Sequence, residues 1–309
     1  MIPGSHCQPG YNFLGLSDDL ADLRRAQVWV LPIPYEATTT YGAGTRNGPS
    51  AIVAASRQVE LYDHRRGCEP AGELGFATLP PLEIHCGSPA TMITNIEEAI
   101  LQVFEGEPQP RFLVVLGGEH SISAGISRAA ARIFDPHEIV AVQIDAHADL
   151  RDEFEGSPYN HACAARRILN SLPLMQIGIR NISEEEDTFR RTAPRLITIF
   201  ADEWTTTSHE RLADFVRNKL VYLTIDLDGL DPSIMPAVGT PEPGGLSWQQ
   251  VQEIIHLIAQ HARGVPIMDV VELAPIPGFV APDFLAAKLI YWAASDFLLH
   301  DGKGSSPET

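Results

Sequence analysis

Ile139-Val140-Ala141-Val142-Gln143-Ile144, running without a break into Asp145-Ala146-His147-Ala148-Asp149, decides how the rest of the chain is read. The first six residues are mostly apolar and branched, the composition of a strand buried on both faces of a parallel sheet. A strand repeats every two residues, so Asp145, His147 and Asp149 are expected to leave its C-terminal end on the same side. Two carboxylates and an imidazole gathered there repel one another and stay undersatisfied unless a cation or a hydrogen-bond network compensates them. A strand end entering a polar turn, where Asp is common, accounts for the same residues. The metal reading therefore needs further ligands elsewhere in the chain.

Working outward, apolar runs at 28–31 (closed by Pro32 and Pro34), 112–116, 175–179, 196–200, 221–225 and 267–273 read as further short strands. Between them, stretches at 49–60, 92–104, an alanine-rich run to 133, 161–169, 247–262 and 284–299 read as helices. Ser183-Glu184-Glu185-Glu186 and Ser247-Trp248-Gln249-Gln250 have the form of capping boxes. Residues 66–90 carry many Gly and Pro and no clean period, which predicts a long loop with one short strand at most. The alternation predicts a three-layer α/β/α fold around a mostly parallel central sheet. It is read as a single domain over 21–300, with an irregular lead-in over 1–20 and a disordered tail over 301–309.

A formal net charge of −18 argues against nucleic acid and anionic membrane surfaces as partners and is compatible with a small cationic substrate. No apolar run approaches the ~18 residues of a membrane-spanning helix. Residues 1–13 have no basic segment followed by an apolar core, so the expected location is cytoplasmic. Cys7, Cys68, Cys86 and Cys163 show no C-x-x-C spacing and read as ordinary thiols of a reducing compartment. The glycine-bearing loop from Thr38 to Thr45 is not a P-loop, because no G-K-[ST] follows it.

Ligands of open parallel sheets bind outside the carboxyl ends of the strands. Those ends carry His120, the Asp145 group, Asp226 with Asp228, and Glu272. His120, Asp145, His147, Asp149, Asp226 and Asp228 together hold four carboxylates, about −4 in charge, which two divalent cations neutralise; one cation leaves buried charge uncompensated. Mixed carboxylate and imidazole ligation without thiolate favours Mn(II) over Fe, Co, Ni or Zn. Two such ions roughly 3.5–4 Å apart could share a hydroxide, a hydrolytic nucleophile at neutral pH.

Gly-Gly-Glu-His120-Ser, Asp145-Ala-His147-Ala-Asp149 and Asp226-Leu-Asp228-Gly-Leu-Asp231-Pro232 resemble the three metal motifs of the ureohydrolase family, the arginases, agmatinases and their relatives. The resemblance runs from about residue 31 to 298. It implies an arginase-like fold and a pair of manganese ions. One ion would be held by His120, Asp145, Asp149 and Asp226, the other by Asp145, His147, Asp226 and Asp228. It also implies that Asp149 passes a proton to the departing amine. Glu272, in Asp269-Val-Val-Glu-Leu-Ala-Pro, resembles the carboxylate that grips the guanidinium, a planar cation suited to bidentate pairing. His161 matches a proton-shuttling histidine at the mouth, although Asn160 precedes it where many relatives have Ser. Asp231 reads as a turn or capping residue.

The chain lacks the Ser-Gly-Asn element with which arginases read an α-amino acid. In its place, residues 151–160 carry Asp152, Glu153 and Glu155, which either draw in the distal ammonium of agmatine, Glu153 and Glu155 foremost, or form a solvated loop. The chain looks most like bacterial agmatinases, which implies agmatine plus water giving putrescine and urea, and relatives form trimers or hexamers. Guanidinobutyrate, guanidinopropionate, arginine, free guanidine and formimidoylglutamate are rival substrates, and a carboxylate-bearing one would want Arg151. Two other classes remain: a one-zinc deacetylase-like hydrolase, which would not need both His120 and the second set of carboxylates, and a non-catalytic metal-binding homologue.

Overall fold

Strands and helices alternate in the computed structural model, which describes residues 11–299. The strands are β1 (Val28–Ile33), β2 (Phe76–Thr78), β3 (Phe112–Gly117), β4 (Ile139–Ile144), β5 (Leu174–Ile179), β6 (Leu196–Phe200), β7 (Leu220–Asp226) and β8 (Gly264–Val271). They form one sheet in the order β2-β1-β3-β8-β7-β4-β5-β6, and every pairing is parallel. The helices are α1 (Gly48–Ser56), α2 (Pro70–Leu74), α3 (Pro89–Glu105), α4 (Ser123–Ile133), α5 (Ala164–Ser171), α6 (Glu184–Thr192), α7 (Thr206–Val216), α8 (Trp248–His261) and α9 (Ala281–Leu298).

Side chains along each strand alternate between two cores, as a period of two requires. Val28 and Val30 share one core with Ile52 of α1, Leu212 of α7, Ile254 of α8 and Ile290 of α9. Trp29, Leu31 and Ile33 share the other with Ile96 of α3, Ile126 of α4 and Ile168 of α5. The sheet is thus covered on both faces, which is why its strands read as unbroken apolar runs. Strand order then does the work for the site. β3, β8, β7 and β4 are consecutive neighbours, so the residues at their carboxyl ends, His120, Glu272, Asp226 and Asp145, lie side by side.

Several expectations need correction. β1 does not close at Pro32 but includes it. Pro32 faces the β2 side, where that short strand has already ended, and its carbonyl accepts from Leu82 N; a missing N–H costs nothing there. The 66–90 segment holds the short helix α2 as well as a strand. α7 is a further helix: it opens on the polar run Thr-Thr-Ser-His-Glu, and its buried apolar residues, Leu212, Ala213 and Val216, come only in its second half. α1 ends at Ser56 rather than near 60, because the Ser56 hydroxyl turns back to the Val53 carbonyl and accepts from Leu14 N. That second bond ties part of the lead-in to the core, where Phe13 is fully buried. Residues 1–10 and the expected tail at 301–309 lie outside the described residues. Both capping boxes, at Ser183 and Ser247, are formed in full.

Far from the strand ends, buried Asp63 accepts from Arg65 N, Nε and Nη2 and from Ser295 Oγ of α9. Burial alone would raise its pKa, but Arg65 outweighs that and holds it at about 2 against an ordinary 3.8. Asp63→Ala is expected to cost about 2–3 kcal/mol at pH 7, because it removes the nearer partner of a partly buried Arg65 and leaves it Asp296 at 3.5 Å. A depressed carboxyl pKa stabilises above the unfolded value and stops doing so as pH falls through the folded one. Denaturant titrations should therefore show the gap to wild type closing between pH 4 and 2.

Candidate metal centre

The first donor is aimed by a glycine. A Cβ on Gly118 would lie 1.9 Å from the Tyr35 carbonyl oxygen, so only glycine lets the loop after β3 press against the loop after β1. Glu119 N donates to Tyr35 O at 2.9 Å, and His120 follows, buried beneath the strand ends. Its Nε2 lies 3.0 Å from Thr224 Oγ1, whose proton goes to Asp269 Oδ1 at 2.6 Å. Thr224 must then accept from His120, so the imidazole carries its proton on Nε2 and presents a bare Nδ1. Asp269 is buried and also accepts from the Tyr222 hydroxyl and Ser123 Oγ. Burial pushes its pKa up while these contacts pull against it.

His120 Nδ1 is buried with no hydrogen-bond partner. Around it stand Oδ2 of Asp145 at 3.0 Å, of Asp149 at 3.2 Å and of Asp226 at 3.3 Å. An imidazole nitrogen and three carboxylate oxygens facing one another make a donor set that a proton on Nδ1 or a metal cation can fill. Beside it, His147 Nδ1 lies 2.9 Å from Asp228 Oδ2 and 3.8 Å from Asp145 Oδ1. Two groups emerge, His120 with Asp145 and Asp226, and Asp145 with His147 and Asp228, each with its ligand atoms within 4.8 Å. Asp145 belongs to both.

The reason for this convergence differs from the one expected. β4 ends at Ile144, so the period of two does not carry through to Asp149. A turn does the gathering instead: His147 N donates to Asp145 Oδ1 at 2.6 Å, Ala146 N to Asp228 Oδ1 at 3.0 Å, and Asp149 adopts φ 50°. Asp226 likewise caps its own turn, accepting from Asp228 N at 2.9 Å. Gly229 lets that turn sit against β4, since a Cβ there would lie 2.9 Å from Asp145 N. Arg180 staples the turn from behind, donating to the carbonyls of Asp228 and Glu242 at 2.7 Å. Asp231 accepts from Ser233 N, Gly244 N and Gly245 N, the turn-holding role its position before Pro232 suggested.

Protons and cations compete for these lone pairs. Burial disfavours a charged imidazole, yet the carboxylates of Asp145, Asp149 and Asp226 outweigh it and hold His120 well above its ordinary range. His147 is raised to about 10, chiefly by Asp228 against the effect of burial. Burial and the charges of Asp228 and Asp149 push Asp145 up to about 7. A cation must displace these protons, so Mn(II) affinity should climb between pH 6 and 9. Calorimetry in two buffers of different ionisation enthalpy should show protons released on binding; pH-independent uptake would count against the donor set.

The centre opens into a cleft of about 200 Å³ that also exposes His161, Glu272, Arg151, Phe154, Thr240 and the loop around Tyr41 and Gly42. Glu272 stands just past β8 with φ 67°, its N donating to Gly118 O at 2.8 Å. Its Oε1 accepts from His120 N at 2.6 Å, an engagement not foreseen, which leaves Oε2 for a ligand. Burial, with Glu119 and Asp228 nearby, pushes its pKa well up. His161 N donates to Thr38 Oγ1 at 3.0 Å, and Asn160 caps the turn that carries it, accepting from Ala162 N at 3.0 Å.

The acidic loop is the clearest departure. Glu153 and Glu155 are exposed and do not line the cleft. A tight turn, Phe154 paired with Ser157 around Glu155 at φ 48° and Gly156 at φ 80°, sends both acids outward. Arg151 and Phe154 line the cleft instead, with the guanidinium 4.7 Å from the ring centroid. Glu119 supports the site as well. It is buried and accepts from Ala37 N, Thr38 N, Thr38 Oγ1 and Ser121 Oγ, so it holds the residue on which His161 rests.

A sequence model of the arginase family matches residues 26–295. An N(1)-aminopropylagmatine ureohydrolase from Synechocystis is 41% identical over 284 residues, covering 89% of this chain and 90% of the relative. A protein of the same name from Thermus thermophilus is 36% identical over 277 residues, covering 88% and 91%. The solved agmatine ureohydrolase of Thermoplasma volcanium shares the fold with a TM-score of 0.76 at 31% identity, covering 88% of this chain and 90% of that one. The chain belongs to the arginase family. It is an enzyme of the ureohydrolase class, as its three aspartate- and histidine-bearing motifs suggested.

Proposed function

We propose that the protein hydrolyses the guanidino group of an alkylguanidine bearing a distal amine, releasing urea. N(1)-aminopropylagmatine and agmatine are the first substrates to test. The observation that carries this reading is His120, whose Nδ1 is ringed by carboxylates while its backbone N donates to the Glu272 carboxylate. One cation would be held by His120, Asp145, Asp149 and Asp226, and a second by Asp145, His147, Asp226 and Asp228, with Mn(II) favoured by the donor types. Two bound divalent ions supply a nucleophilic hydroxide at neutral pH and Lewis acidity toward the leaving group.

The chain's own groups supply the rest. Glu272 Oε2 accepts the guanidinium, whose charge offsets that of a carboxylate made costly by burial. Glu272 also fixes the His120 backbone, so substrate and cation donors share one rigid frame. Asp149 Oδ2 takes a proton and delivers it to the departing amine. His161, held on Thr38, moves protons between that amine and the mouth.

The length of the amine tail rests on similarity to the N(1)-aminopropylagmatine ureohydrolases of Synechocystis and Thermus thermophilus and to the agmatine ureohydrolase of Thermoplasma volcanium. Arg151 favours a second reading. A guanidinium in the cleft wall suits a carboxylate-tailed guanidine such as guanidinobutyrate, and no exposed acid of the 151–160 loop lines the cleft to offset it. Urea release from the Mn(II)-loaded protein separates the two: amine-tailed substrates should exceed guanidinobutyrate and guanidinopropionate in kcat/KM. The reverse order would transfer the assignment to the carboxylate class.

A further inference from the structure

Beneath the donor set, a row of polar side chains crosses three strands of the buried sheet. Gln143 of β4, Gln176 of β5 and Thr198 of β6 are paired in register. Both glutamines are fully buried. An amide there must find partners for two donors and an acceptor or it destabilises the sheet. All are found. Thr198 Oγ1 donates to Gln176 Oε1 at 3.1 Å; Gln176 Nε2 donates to Gln143 Oε1 at 2.9 Å and to the Ala148 carbonyl at 2.7 Å. Gln143 Nε2 donates to Asp145 Oδ2 at 2.6 Å.

The direction of the row is fixed by a backbone atom. The Ala148 carbonyl can only accept, so the NH2 end of Gln176 must face it. Gln176 then gives its other proton to Gln143 Oε1, which turns the Gln143 NH2 toward Asp145. Gln143 precedes Asp145 by two residues and therefore lies on the same face, directly behind it. The Asp145 carboxylate is now held at both oxygens: Oδ1 by His147 N and Oδ2 by Gln143. Held so, it points Oδ2 at His120 Nδ1, 3.0 Å away, and Oδ1 toward His147 Nδ1, 3.8 Å away. One oxygen serves each donor group. The bond to Ala148 also pins the turn between His147 and Asp149.

We infer that Gln143 and Gln176 are positioning residues that lock the Asp145 carboxylate into its bridging orientation between the two donor groups. The inference rests on the metal-dependent reading above. Neither glutamine reaches the cleft, so their effect is exerted through Asp145 and the 146–149 turn.

The test is titration of Mn(II) into the metal-free full-length chain, followed by calorimetry and electron paramagnetic resonance, with urea release measured alongside. Wild type should take up two ions and show the spectrum of a spin-coupled pair. Gln143→Leu fills the same space without an N–H. It should bind the pair about 10- to 100-fold more weakly, the usual effect of losing an outer partner of a ligand. At two equivalents its spectrum should shift toward isolated and free ions; the metal-free variant should melt somewhat below wild type, since Gln176 loses an acceptor, so circular dichroism first establishes that it is folded. Thr198→Val should remain near wild type, because Ala148 alone fixes the orientation of Gln176. If Gln143→Leu does not fold, Gln143→Asn keeps an amide too short to reach Asp145 and should lose affinity in the same direction. A folded variant with wild-type affinity and a coupled spectrum would overturn the inference and leave the hydrolase reading intact. A wild type that binds no Mn(II) would overturn both, whereas two bound ions without urea release would overturn the hydrolase reading alone.

Discussion

His120→Ala is expected to abolish measurable urea release and to weaken Mn(II) binding by more than the ~10–100-fold that loss of an outer partner costs. The size of the effect follows from the surroundings of the imidazole. Its Nδ1 is the neutral donor among the oxygens of Asp145, Asp149 and Asp226, all within 3.3 Å of it. Without it, three carboxylates face one another in a buried space with fewer donors to offer a cation. The fold should survive, since Gly118 and Glu119 keep their backbone bonds to Ile33 and Tyr35. Metal analysis of the purified variant, with circular dichroism as the control for folding, checks the prediction. Full occupancy with full activity would remove His120 from the centre.

Glu272→Gln is expected to have an effect of the opposite kind: cation content near that of wild type, with kcat/KM lower by at least about 10²-fold, as for a misplaced or unpaired substrate. Glutamine is the informative replacement. Its Oε1 can still accept from His120 N, the bond that Glu272→Ala would break along with the substrate contact. What glutamine removes is the charge that a guanidinium would meet. Loss of metal in the Gln variant would recast Glu272 as a support of the donor set.

Much of this site could be read from the chain because a buried parallel strand is an unbroken apolar run and its end is abrupt. Ile139–Ile144 running into Asp145 shows this, and the ends at His120, Asp226 and Glu272 repeat it. The capping boxes at Ser183 and Ser247 were equally plain, both halves lying within four residues. Asp269, Thr224 and Glu119 were hidden for the converse reason: Thr224 meets His120 across 104 residues and Glu119 meets Thr38 across 81, and neither distance leaves a local pattern. The acidic loop shows a third case. The charges of Glu153 and Glu155 were legible, but their direction depends on the two positive-φ residues Glu155 and Gly156. Gln143 was visible as a lone polar residue in an apolar strand, and its partners only become apparent once the register of β4, β5 and β6 is known.

Urea release by metal-stripped protein, reloaded stepwise with Mn(II) in the presence of N(1)-aminopropylagmatine or agmatine, tests the central claim most directly. The stripped protein should be inactive, and activity should return as two ions bind per chain. Equal urea release before and after stripping, or two bound ions with no urea from either substrate, would contradict it.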